Sequence, residues 1–224
     1  MLRYFFLILL YLTYMDSNAQ QHTYSDNVSH FTLHSPQLDT VRKIWVYLPS
    51  GYGGSTEKYP VLYMHDGQNL FDKGSSFAGE WRIDEQLDSI GAKAIIIGIE
   101  HGNDKRIDEL TPYVNEKYGG GQADKYLDFV VSTLKPYVDQ QYRTKPDREN
   151  TGIMGSSVGG LVSFYTMLKY QKVFGKAGIF SPSFWFSDAI YDLAINTPRL
   201  NAHLYFMAGD HESTEMVSDL DRML

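Results

Sequence analysis

The stretch Thr151-Gly152-Ile153-Met154-Gly155-Ser156-Ser157-Val158-Gly159-Gly160-Leu161 decides the reading of this chain. Thr151–Met154 is short and strand-like, and Leu161–Tyr170 is helix-like, so the small residues between them form a strand-to-helix turn. Such a turn strains its central residue and lifts that side chain above the sheet, while flanking glycines let strand and helix approach closely. Gly155-Ser156-Ser157-Val158-Gly159 has the G-x-S-x-G spacing of that turn. Ser156 is the alternative serine, but the register of the glycines favours Ser157 as a candidate nucleophile. The helix start behind it favours developing negative charge, and the amide of Val158 becomes one oxyanion donor.

Outward from this turn, strand and helix patterns alternate. Lys43–Leu48 is β-rich and stops at Pro49-Ser50-Gly51, and Tyr59–Met64 ends at His65-Asp66-Gly67. Ala94–Ile99 is nearly all apolar, as a strand buried on both faces should be. Gln122–Tyr142 carries Leu127, Val130, Val131, Leu134 and Val138 at helical spacing, with Pro136 expected to kink or break it. Gly119-Gly120-Gly121 reads as a flexible surface loop, and Ala177–Phe180 and His203–Met207 as two more buried strands. This order predicts an α/β fold with a mostly parallel central sheet and helices on both faces, in one domain.

In such sheets, active residues collect at the C-terminal ends of strands. Met64-His65-Asp66-Gly67-Gln68-Asn69 is a second such end, where Gly67 would let the chain turn and point the amide of Gln68 inward. Ala208-Gly209-Asp210-His211-Glu212 is a third; Asp210 and Glu212 both qualify by position as an acid downstream of the serine. Trp185, after the strand Ala177–Phe180, either lines a substrate cleft or packs in the core, with equal weight to each. His65 and His101 fall near strand ends but outside the chain order serine, acid, histidine, and read as polar groups at the rim of a cleft. His211 is next to Glu212 in sequence and would point elsewhere. His30 and His34 would share one face of a strand, without a third ligand to make a metal site.

Composition sets the outer limits. The chain has 224 residues, 43% hydrophobic and 21% charged, which is ordinary for a globular domain. A formal net charge of −7 argues against a partner such as nucleic acid. There is no cysteine, so no disulfide, thiolate nucleophile or Cys-ligated metal is available. Residues 1–19 read as a signal peptide: Arg3, an apolar run from Tyr4 to Met15, then Ser17-Asn18-Ala19 before the cut. That run is shorter than the ~20 apolar residues that span a bilayer, so the mature chain from residue 20 to 224 is expected to be secreted or periplasmic, with no membrane span.

Three segments together resemble one family. Val46-Tyr47-Leu48-Pro49-Ser50-Gly51-Tyr52, Tyr59-Pro60-Val61-Leu62-Tyr63-Met64-His65-Asp66-Gly67 and Gly155–Gly160 look like the esterase family of α/β-hydrolases that groups esterase D-like proteins, enterochelin esterases, feruloyl esterases of carbohydrate esterase family 1 and mycolyltransferases. Lys105-Arg106-Ile107-Asp108-Glu109-Leu110-Thr111-Pro112 resembles the segment after the central strand in these proteins, and the likeness runs from about residue 31 to the end. It implies an α/β-hydrolase fold and a serine carboxylic ester hydrolase, with an oxyanion hole from the amides of Gln68 and Val158 and no cofactor. It also implies Glu212 as the acid in preference to Asp210.

One departure stands out. In the family the catalytic histidine follows the acid, whereas the 12 residues after Glu212 contain none, and Val217–Leu224 reads as a helix cut off part-way. The last strand and closing helix of the fold are therefore expected to be missing, with His203–Met207 left as a sheet edge. The chain as given is expected to fold poorly and turn over esters slowly. The alternatives are a non-catalytic binding domain and an acyltransferase to a carbohydrate. The expected substrate is a small-molecule or polysaccharide-linked ester.

Overall fold

Alternating side chains along three neighbouring strands set the architecture of the computed structural model, which describes residues 22–224. The expected signal peptide, residues 1–19, lies outside the described residues. On β2 (Thr40–Tyr47), β3 (Val61–His65) and β4 (Ile95–Ile99), successive residues turn to opposite faces. Ile44, Val46, Tyr63, Ile95 and Ile97 join the larger core, while Trp45, Tyr47, Met64 and Ile96 join a smaller one on the other side. The need to be apolar on both faces explains why β4 contains no polar residue.

The remaining strands are β1 (Val28–Ser35), β5 (Val114–Asn115), β6 (Gly119–Gly120), β7 (Thr151–Ser156), β8 (Lys176–Phe180) and β9 (His203–Met207). Of the nine strands in the described residues, seven form one sheet in the order β1-β2-β4-β3-β7-β8-β9, and β5 and β6 pair separately. The pairs β1–β2 and β2–β4 are antiparallel; every other neighbour in the large sheet is parallel. Helix α1 (Ile83–Ser89) covers the smaller core through Ile83 and Leu87. A short helix α2 (Arg106–Leu110) follows β4. The larger core lies under α3 (Ala123–Asp128), α4 (Lys135–Gln141), α5 (Val158–Lys169) and α6 (Ala189–Asn196), and α7 (Met216–Met223) ends the chain. The expected mostly parallel sheet with helices on both faces is the observed one. None of the described helices is long and apolar enough to cross a membrane.

Two expectations change. Pro136 does not break the helical run Gln122–Tyr142: Phe129–Leu134 widens into a π-helix between α3 and α4, which places the proline in the first turn of α4 where its missing N–H is tolerated. Gly119-Gly120-Gly121 is not a loose loop. All three have positive φ, and a Cβ on Gly120 would lie 2.2 Å from Thr111 Oγ1, so only glycine allows β6 to seat against the chain beyond α2. His203–Met207 is less buried than expected: among the described residues β9 pairs with β8 alone, and Tyr205 and Met207 on it are exposed.

Candidate active site

Three adjacent strands end in a residue that sterics disfavour. Asp66 after β3, Ser157 after β7 and Ser181 after β8 have φ of 56°, 60° and 40°, in the left-handed region that non-glycine residues avoid. At Ser157 the conformation is locked from both sides, because its N–H donates to the Phe180 carbonyl at 3.0 Å and its carbonyl accepts from Ser183 N–H at 3.1 Å. The glycines explain why the turn can be so tight. A Cβ on Gly155 would lie 2.7 Å from the Gly159 carbonyl oxygen, and one on Gly160 would lie 2.6 Å from that of Phe180. Ser157 Oγ faces a cavity of about 360 Å³, with Asn69, Trp81 and Arg106 in its wall, and sits 3.2 Å from Ser183 Oγ. Val158 is the first residue of α5, where a backbone N–H has no partner within the helix.

Gln68 lies in the middle of a 3-10 turn, Gly67–Asn69, directly after β3. The residue is buried and lines a neighbouring cavity of about 590 Å³ rather than the serine's, and its Oε1 accepts the His101 N–H at 3.4 Å. The left-handed residue of this turn is Asp66, not Gly67. Gly67 is needed for a different reason: a Cβ there would lie 2.6 Å from the backbone carbon of Gly98, so the turn rests on β4. Arg106, on α2, grips Asp66 with two parallel bonds, Nε to Oδ1 and Nη2 to Oδ2, each 2.7 Å.

His65 lines the serine's cavity, as a buried side chain rather than an exposed rim. It is buried under the serine turn, where a Cβ on Gly155 would touch its Cδ2 at 2.9 Å, and its Nδ1 lies 2.7 Å from the Tyr126 hydroxyl. Burial pushes its pKa down to about 4, so the ring is neutral near pH 7. Its Nε2 is buried without a hydrogen-bond partner. His101 lines the neighbouring cavity and accepts from Asn103 N–H at 2.8 Å through Nδ1; burial lowers its pKa as well. Among the described residues, no imidazole hydrogen-bonds Ser157 Oγ.

The acid candidates separate by contact. Glu212 Oε1 accepts from Ser181 Oγ and from Gly209 N–H, both at 2.8 Å, which ties it to the end of β8 beside the serine turn. Asp210 instead pairs with His211 at 2.5 Å, with both side chains in solvent. Trp185 is half exposed, edge-on to Tyr118 at 5.7 Å, and outside the wall of the serine's cavity. The tryptophan in that wall is Trp81, stacked on Phe180 at 6.2 Å. Ser183, Trp81 and the role of Arg106 were not apparent from sequence. Arg106 falls within Lys105–Pro112, but its partner lies 40 residues away, and no local signal joins the two.

A sequence profile of the family described as "Putative esterase" matches residues 35–214. The uncharacterized protein YbbA of Bacillus subtilis is 28% identical over 190 residues, 82% of this chain and 74% of its own. An endo-1,4-beta-xylanase/feruloyl esterase of Xylanibacter ruminicola is 26% identical over 202 residues, 86% of this chain but 26% of its own length. The solved enterobactin esterase of Shigella flexneri superposes with a TM-score of 0.73 at 17% identity, covering 89% of this chain and 50% of that one, a likeness of fold. With a family match that runs through most of the described residues, the chain belongs to this family and is an esterase on the α/β-hydrolase fold.

Proposed function

We propose that the protein is an exported carboxylic ester hydrolase that works through an acyl-enzyme on Ser157. The observation that carries the reading is the strained serine, held at φ 60° between β7 and α5 and facing a cavity. Ser157 Oγ attacks the ester carbonyl, and the carbonyl oxygen becomes an oxyanion held by the amides of Gln68 and Val158, helped by the α5 N-terminus. Collapse expels the alcohol and leaves an acyl-serine, which water hydrolyses. A histidine base takes the Ser157 proton and returns it to the departing alcohol, and Glu212 is the acid that orients it; its contact with Ser181 supports it over Asp210. His65 is a poor base in this arrangement, since burial lowers its affinity for a proton and its Nδ1 is engaged with Tyr126.

The substrate is a small-molecule or polysaccharide-linked ester. Export, inferred from residues 1–19, supports the polysaccharide-linked class, as does the likeness to a chain named as a xylanase/feruloyl esterase. Because no imidazole among the described residues contacts Ser157 Oγ, a binding domain without catalysis is the competing reading. Fluorophosphonate labelling decides between them. Wild-type protein should be labelled at Ser157 and Ser157→Ala should not. An unlabelled wild type with an intact circular dichroism spectrum would establish the binding domain.

A further inference from the structure

The segment Lys105–Pro112 is tied into the molecule more firmly than a connecting loop requires. Glu109 forms a buried ion pair with Arg42 of β2 at 2.6 Å and accepts the Gly102 N–H at 3.1 Å. Asp108 Oδ1 accepts the Gly120 N–H at 2.9 Å. These contacts fix α2 in place, and α2 presents Arg106 to Asp66. The guanidinium uses a bidentate fork on a residue in the left-handed region, where an aspartate stays only if its surroundings hold it. Asp66 is two residues before Gln68. Its other neighbour is the first turn of α5: a Cβ on Gly159 would lie 3.5 Å from Asp66 Oδ2. Gly159 follows Val158, so this carboxylate sits between the two turns that carry the oxyanion amides. A negative charge beside a helix N-terminus is favourable there, but it would also drift without a fixed partner.

We propose that Arg106 is a positioning residue: through Asp66 it sets the spacing between the Gln68 and Val158 amides. This rests on the oxyanion reading above. The role is distinct from substrate binding. The amides are paired with negative charge only as the tetrahedral oxyanion forms, so a misplaced turn lowers kcat and leaves KM nearly unchanged.

The test uses the full chain and p-nitrophenyl acetate, with Ser157→Ala as the reference for turnover that depends on the site. Removing one oxyanion donor costs roughly 100- to 1,000-fold in kcat, and displacing one should cost about 10- to 100-fold. Arg106→Ala is expected to lose that much in kcat with KM within about threefold, and to regain part of it in millimolar guanidinium. Asp66→Asn, which keeps the shape but not the paired charge, should lose kcat similarly and should not respond to guanidinium. If Arg106→Ala does not fold, the Asp66→Asn result decides alone. Wild-type kcat in either variant, or a loss confined to KM, would overturn the positioning role while leaving Ser157 as nucleophile. Equal turnover by wild type and Ser157→Ala would instead overturn the hydrolase reading, and the positioning role with it.

Discussion

The serine turn and the Glu212 loop belong to one strand-end cluster but are held by different physics. Around Ser157, backbone meets backbone: the peptide is bonded on both sides, and two glycines pack so closely that any side chain would overlap main-chain atoms. Around Glu212, one carboxylate oxygen accepts two hydrogen bonds in solvent, on a loop that follows an edge strand. Helix α7 beyond it buries Met216 alone among its residues. Steric fit therefore fixes Ser157, and a pair of exposed hydrogen bonds fixes Glu212. The serine turn should tolerate little change and the Glu212 loop much, as far as folding is concerned.

The largest effect is expected where backbone packing is densest. Gly155→Ala inserts a Cβ 2.7 Å from the Gly159 carbonyl oxygen, which forces strand and helix apart. Overpacking of this kind costs about 1–3 kcal/mol, and a rigid backbone neighbour puts this site at the top of that range. Urea unfolding would measure it. A loss below about 0.5 kcal/mol, the level of ordinary surface changes, would mean the turn is not sterically locked.

Next comes the histidine beneath that turn. The pKa of His65 falls from 6.5 to about 4 on folding, so the unfolded chain binds more protons between those values, and stability must rise with pH through that window. The gain is present above about pH 6.5 and is lost as pH falls towards 4; between pH 7 and 5 it is worth about 2 kcal/mol. His65→Asn, whose amide can stand in for Nδ1 toward Tyr126, should flatten the stability curve over that range. Curves of equal slope for the two proteins would show that His65 is not a neutral buried ring.

The smallest effect on folding is expected at Glu212. Glu212→Gln keeps the shape and is solvent-exposed, so its unfolding free energy should stay within about 0.5 kcal/mol of wild type. Under the proposed role of Glu212, its ester turnover should nonetheless fall on the order of 100-fold or more, since an acid-to-amide change there would misorient the base. Stability and activity measured on one preparation would expose the contrast. If Asp210→Asn lost turnover and Glu212→Gln did not, the acid would be Asp210.

Local chemistry along the chain determined most of the frame. Gly155–Gly159 specified a strained strand-to-helix turn because its steric demands are met by residues next to one another. β4 declared itself buried because Ile95, Ile96, Ile97 and Ile99 leave no face for water. Which strands neighbour one another, and hence which distant side chains meet, was decided only in three dimensions. Trp81 lines the serine's cavity and Trp185 does not; both are tryptophans near a strand or turn, and nothing in their neighbours along the chain separates them. Glu212 reaches Ser181 while Asp210, two residues earlier, faces solvent, a difference set by how the loop after β9 lies on β8. His65 is buried because Gly155 and Gly159 bring the serine turn down onto it. Arg106 finds Asp66 because β4 lies beside β3 in the sheet, an adjacency produced by packing between strands rather than by any residue within either one.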